Sequence, residues 1–301
     1  MPKKIPYSTD PNDLFNPGQA EDFFDPEYGQ APSDAAVCAE MARLAYLRHE
    51  DPGGRSKLET ILRDRARFEP GPCFNTKGTQ GFVAARSSAG GDGLLVVAFR
   101  GTEPGESIDL RQDSRFWPTP WGAGARVHTG FAEAFDLVRE QFLSTIKSVP
   151  GRLLLTGHSL GAALATLAAS LVPADRRAQT LLCTFGSPRV GDETFGASLG
   201  GLTHLRYAGA RDLVTWVPPI APFIPYRHHG ILRCIDPAGA IHEFRANEAA
   251  HVRAGSLRGQ GHSQASSLLA TFLALVAREV PAKELTDHAP INYTSAVWGL
   301  R

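Results

Sequence analysis

Apolar positions along the chain follow two rhythms. Short unbroken runs recur at strand length: FVAAR (82–86), LLVVAF (94–99), RLLLT (152–156), LLCTFG (181–186), HLRYA (204–208) and HHGILRCI (228–235). The first two, separated by SSAGGDG, predict a hairpin or two neighbouring strands. RLLLT has no polar alternation, which predicts a strand buried on both faces. Between these runs the spacing changes to every third or fourth residue. Val37, Met41, Leu44 and Tyr46 or Leu47 mark the apolar face of a helix opened by Ser33 or Asp34. Phe131, Phe135, Val138, Phe142 and Ile146 predict one amphipathic helix over 131–146. LGAALATLAASLV (160–172) is apolar almost all round and predicts a buried helix, and SSLLATFLALVAR (266–278) predicts another amphipathic one. Strands alternating with helices predict an α/β fold, with a mostly parallel central sheet and helices on both faces.

Residues 1–33 break this pattern. Six prolines, six acidic residues and no sustained period predict an extended N-terminal arm, with Phe15, Phe23, Phe24 and Tyr28 available to lie against the body. Residues 34–301 then read as a single domain. Lys and Arg together number 31, as do Asp and Glu, so no excess charge points to nucleic acid. No run of roughly 18 apolar residues predicts a transmembrane segment. MPKKIPYSTDPNDLF lacks the apolar core of a signal peptide, which leaves a cytoplasmic protein, a leaderless exported one, or one without its leader. The four cysteines have no CxxC spacing and read as reduced. No HExxH or similarly spaced ligand set is present, so neither metal nor cofactor is expected.

Candidate chemistry starts at TGHSLGAALA (156–165), which follows RLLL and opens the buried helix. A serine at a strand-to-helix corner is held exposed at the carboxyl end of the strand, and the helix N-terminus beneath it favours developing negative charge. Glycines at 157 and 161 and alanines at 162 and 163 suit such a corner, because larger side chains would keep helix and strand apart. Ser159 is therefore the candidate nucleophile. The N–H of Leu160, the residue after it, is the candidate donor to a tetrahedral oxyanion.

At these residues the chain resembles the class 3 lipases, a family of α/β-hydrolase-fold esterases, over roughly 80–300. The resemblance rests on VVAFRGTE (96–103), GARVHTGFAEAF (124–135), TGHSLGAALA, FGSPRVGD (185–192), ARDLVTWVPP (210–219) and DHAPINY (287–293), in the family's order. It implies acyl ester hydrolysis by a Ser-Asp-His triad through an acyl-enzyme. Five aspartates follow Ser159: Asp175, Asp192, Asp212, Asp236 and Asp287. Asp212, just past the strand HLRYA, occupies the position where open α/β sheets place functional loops. Of the histidines after it, His228 and His229 read as a structural pair, and His242 and His251 match no motif. His262, before the 266–278 helix, competes with His288, which matches the family's terminal motif. The resemblance also implies Thr102 as the second oxyanion donor.

EPGESIDLRQDSRFWPTPWGAGAR (103–126) reads as one long loop at the position of the family's lid, with Ile108, Leu110, Phe116 and Trp117 as its substrate-facing residues. Leu110 departs from the family's common tryptophan. The expected partner is a lipid or ester substrate, with transient contact to a lipid interface. An acylglycerol lipase is the first expectation; a phospholipase acting on membrane lipids and a catalytically silent binding protein are the alternatives.

Overall fold

The structure is a computed structural model and describes residues 22–87, 93–101, 117–218, 225–244 and 286–299. Its centre is an eight-stranded sheet in the order β1-β2-β3-β6-β7-β8-β9-β10. In chain order these strands are β1 (Glu69–Thr76), β2 (Thr79–Arg86), β3 (Leu94–Phe99), β6 (Arg152–His158), β7 (Thr180–Phe185), β8 (Thr203–Gly209), β9 (Ile231–Ile235) and β10 (Ile241–Phe244). The steps from β3 through β9 are parallel, while β1, β2 and β10 run antiparallel to their neighbours. The hairpin of β2 and β3 and the largely parallel centre match the expectation. This is the α/β-hydrolase fold.

The central strands β3, β6 and β7 bury both faces, and alternate residues go to opposite layers. Leu153 and Leu155 pack with α5 (Leu160–Ser170), α3 (Thr129–Asp136) and α4 (Arg139–Ser148). Leu154, Cys183, Phe185 and Tyr207 pack on the other side with α1 (Asp34–Leu44) and the terminal helix α7 (Pro290–Val297). Ser33 caps α1 by accepting the Ala36 N–H at 3.2 Å. Helices α2 (Pro52–Thr60) and α6 (Glu193–Ala197) complete the described set. No helix among the described residues is long and apolar enough to cross a membrane.

Three expectations are corrected. The helix over 131–146 is two, α3 and α4, broken at Leu137–Val138. The apolar face survives the break: Phe131, Phe135, Val138, Phe142 and Ile146 are all buried. No glycine or proline marks the break; it brings Arg139 to Asp136 at 2.7 Å and places its guanidinium 4.3 Å from the Trp121 ring centre. The long loop ends in a second, two-stranded sheet, β4 (Pro118–Trp121) against β5 (Ala125–His128). The strand read from His228 begins at Ile231. The predicted helix over 266–278 lies outside the described residues.

The first described residues are docked on the body. Phe23 and Phe24 are buried against Trp298, with ring centres 5.6 and 5.9 Å away. The Phe23 N–H donates to Glu40, itself paired with Arg43 at 2.7 Å in a fully buried ion pair on α1. All four cysteines are free.

Candidate active site

The parallel register aligns the strand ends that carry the site. Phe99 pairs with Gly157, His158 with Phe185, Phe185 with Tyr207, and Gly209 with Ile235. The residues immediately past β6, β7 and β8 therefore meet at one edge of the sheet, at its carboxyl end.

Ser159 sits between β6 and α5 with φ 58° and ψ −125°, a strained backbone for a residue with a side chain. Its N–H donates to the Phe185 carbonyl at 3.0 Å, and its carbonyl accepts from Ala162 and Ala163, which start the helix. The two glycines of the motif explain one another. A Cβ on Gly157 would lie 2.3 Å from the Gly161 carbonyl, and one on Gly161 would lie 2.2 Å from the Phe99 carbonyl. No side chain fits at either position without separating α5 from β6 and β3. Leu160 is the first residue of α5, where backbone N–H groups have no intrahelical acceptor.

Asp212 follows β8, is fully buried, and is held on both carboxylate oxygens. Oδ1 accepts the Val214 N–H at 2.9 Å, and Oδ2 accepts His288 Nδ1–H at 2.8 Å. The Tyr293 hydroxyl also donates to Oδ2 and accepts the Gly209 N–H at 2.9 Å. Burial, and then the Asp212 charge, push the Tyr293 phenol well above its ordinary value, so it stays a donor. With its Nδ1 proton on Asp212, a neutral His288 carries a lone pair on Nε2, the form a general base requires.

His288 lies in a short turn, Thr286–His288, immediately before α7. Pro290 starts that helix with its φ preset. Contacts with α1 fix the helix: Trp298 Nε1 donates to the Ala36 carbonyl at 3.0 Å, and Thr294 Oγ1 to the Ala39 carbonyl at 3.3 Å. The imidazole reaches the elbow, because its Cε1 and Nδ1 lie 2.9 Å from the point a Cβ on Gly186 would occupy. Gly186 follows the residue that receives the Ser159 N–H. The rings of His158 and His288 are 4.4 Å apart. Ser159, Asp212 and His288 are thus gathered from three distant parts of the chain.

The other candidates go elsewhere. Asp192 caps α6, accepting the Phe195 N–H at 2.8 Å, and Asp175 lies in a surface turn over Ala174–Gln179. Asp236 organises a turn with His242, 2.9 Å away. His228 and His229 bind the carbonyls of Thr215 (2.6 Å) and Gly191 (3.3 Å). Thr102, Ile108, Leu110, Phe116, His251 and His262 lie outside the described residues. Trp117 is described: the residue is 54% exposed just before β4 and its carbonyl accepts the Thr129 hydroxyl at 2.6 Å. Three residues at the site were not singled out from the sequence. Tyr293 and His158 were inside quoted motifs; Tyr46 read only as part of an apolar helix face.

The fold and this gathering of serine, histidine and aspartate at one sheet edge define an α/β-hydrolase scaffold. Residues 96–221 match the class 3 lipase family, so the resemblance carried by the motifs holds. The chain is 36% identical to a secreted mono- and diacylglycerol lipase of Fusarium solani, over 65% of this chain and 58% of that one. It is 34% identical to the chloroplastic phospholipase A(1) DAD1 of Arabidopsis thaliana, over 42% of this chain and 34% of that one. It therefore spans little more than half, and about a third, of these relatives' lengths. The crystal structure of a lipase from Rhizopus microsporus var. chinensis superposes with a TM-score of 0.53 at 25% identity, covering 70% of this chain and 75% of that one.

Proposed function

We propose that this chain, through a single domain over 34–301, hydrolyses acyl ester bonds of lipids. Ser159 is the nucleophile, His288 the general base and Asp212 its carboxylate partner. The observation that carries the reading is the bond of 2.8 Å from half-buried His288 to fully buried Asp212, at the same end of the sheet as a serine on a strained strand-to-helix turn. Ser159 Oγ attacks the ester carbonyl as its proton passes to His288 Nε2. The tetrahedral oxyanion is met by the Leu160 N–H and by Thr102. Collapse expels the alcohol, which takes the proton from His288, and water repeats the sequence to release the fatty acid. Ile108, Leu110, Phe116 and Trp117 form the surface that meets the acyl chain and a lipid interface. The exposure of Trp117, a large apolar residue, supports that role.

The relative from Fusarium solani favours acylglycerols as substrate, and the phospholipase A(1) relative favours phospholipids as the second reading. The test presents the purified chain with a triacylglycerol emulsion, a diacylglycerol dispersion and phosphatidylcholine vesicles, with titration of released fatty acid. Acylglycerols are expected to be hydrolysed fastest. Faster release from the vesicles reverses the order of the two readings. No release from any of them, with no phosphonate label at Ser159, removes the hydrolase reading altogether.

A further inference from the structure

The proposed chemistry places a demand on His288 that Asp212 does not meet alone. A single bond at Nδ1 leaves the residue free to swing about that contact, and its backbone lies in a three-residue turn. A second hold comes from inside the elbow motif. His158, the last residue of β6, is buried, and its two nitrogens face different partners: Nδ1 lies 2.7 Å from the Tyr46 hydroxyl, and Nε2 lies 2.6 Å from the His288 carbonyl oxygen. We infer that Tyr46 and His158 are positioning residues for the hydrolysis proposed above, the Tyr46 hydroxyl holding the His158 ring in place at Nδ1 and His158 fixing the backbone of His288 through Nε2–H.

A carbonyl oxygen only accepts, so Nε2 must carry the proton in that bond. A neutral imidazole has one N–H, so Nδ1 is then an acceptor, and the tyrosine hydroxyl is the donor that matches it. Burial, reinforced by the neighbouring His288, keeps His158 neutral. The chain of donors runs Tyr46 O–H to His158 Nδ1, then His158 Nε2–H to the His288 carbonyl. His288 is thereby held at its carbonyl by one bond and at its ring by another. The same two residues approach the backbone just past β3 closely: a Cβ on Gly101 would lie 2.1 Å from the Tyr46 hydroxyl oxygen and 2.6 Å from the His158 carbonyl. Gly101 directly precedes Thr102, so this contact links the base to the strand that leads into the proposed oxyanion donor. Tyr46 comes just past the end of α1, 112 residues before its partner. It touches neither substrate nor reacting atoms in this scheme.

The inference rests on Ser159 hydrolysis, and its test separates the two. Tyr46→Phe removes one oxygen from a ring that stays packed. It is expected to lower kcat on dissolved p-nitrophenyl butyrate about tenfold, with KM unchanged within about twofold, because orientation is lost and binding is not. His158→Gln carries an amide nitrogen near the place of Nε2 and has no ring nitrogen for Tyr46 to hold, so it should rescue activity relative to His158→Leu. In the His158→Gln background, Tyr46→Phe should cost less than about twofold. Equal losses in both backgrounds, or a change in KM alone, would reduce the hydroxyl to packing and overturn the inference. A readout independent of turnover uses the Ser159→Ala protein: nitrogen-15 shifts of the His158 ring should report the Nε2–H tautomer, with Nδ1 shifted as a hydrogen-bond acceptor when Tyr46 is present and not when phenylalanine replaces it. A pure Nδ1–H tautomer in the presence of Tyr46 overturns the inference even if His158→Gln fails to fold. Full activity in Ser159→Ala, by contrast, overturns Ser159 as the nucleophile and leaves the tautomer result standing.

Discussion

Ser159→Ala is expected to lower ester hydrolysis at least about a thousandfold while the protein stays folded, because the nucleophile is lost and only oxyanion binding and substrate positioning remain. His288→Ala should fall to the same floor. Combining the two should cost little more, since nucleophile and base act as one unit and the second removal has nothing left to disable. Asp212→Asn should follow a different course. The amide no longer presents two acceptors, so Val214 N–H, Tyr293 and His288 compete for one oxygen, and the loss should include a drop in melting temperature. Initial rates on p-nitrophenyl butyrate and circular dichroism melts of the four proteins give the comparison. Phosphonate labelling followed by mass spectrometry locates the nucleophile directly; a label on any serine other than Ser159 would end the assignment.

The stability of this protein should begin to fall with acid well above the pH at which its carboxylates titrate. His128 and His204 are buried, and desolvation lowers them to about 4 and about 3. His158 is lowered too, by burial first and by His288 second. In the unfolded chain each titrates near 6.5. Unfolding therefore takes up protons at any pH between those limits, and stability falls as pH drops. The full contribution is present above about 6.5; at pH 5, His128 and His204 should each have lost about 2 kcal/mol, against a total for a typical domain of about 5–15 kcal/mol. Glu40 works in the opposite direction, because burial raises its carboxyl despite Arg43, and offsets part of the loss. Urea midpoints at pH 7 and pH 5 measure the slope. His204→Leu, which places an apolar side chain beside Thr184, should make the slope shallower; an unchanged slope would show that His204 does not titrate on unfolding.

Most of the frame was legible because burial leaves a periodic trace. The runs LLVVAF and RLLLT are strands since both faces must be apolar, and Phe131 through Ile146 kept their face even across the break between α3 and α4. The elbow was legible for a steric reason: contacts of 2.2–2.3 Å between backbone atoms and absent Cβ positions leave only glycine as an option, so geometry is written into residue type. β1 was hidden by its composition. EPGPCFNT reads as a turn, but an edge strand with an irregular register between Pro70 and Cys73 tolerates prolines that a central strand would not. β10 was hidden by its polar, four-residue length. The Tyr46–His158 contact left no trace at all: a tyrosine on an apolar face satisfies the helical period whether or not its hydroxyl has work.

The strained backbone at Ser159 sets durability against use. A residue with a side chain at φ 58° and ψ −125° costs about 1–3 kcal/mol, and glycine adopts such angles at the smaller expense of a more disordered unfolded chain. Ser159→Gly should therefore melt higher than the natural sequence, with a net gain of about 1 kcal/mol, and hydrolyse nothing. A library screened for heat resistance alone would be drawn toward that inactive glycine. Only a screen that also demands turnover would keep the serine, so improving this scaffold by stability selection requires the two criteria to be applied together.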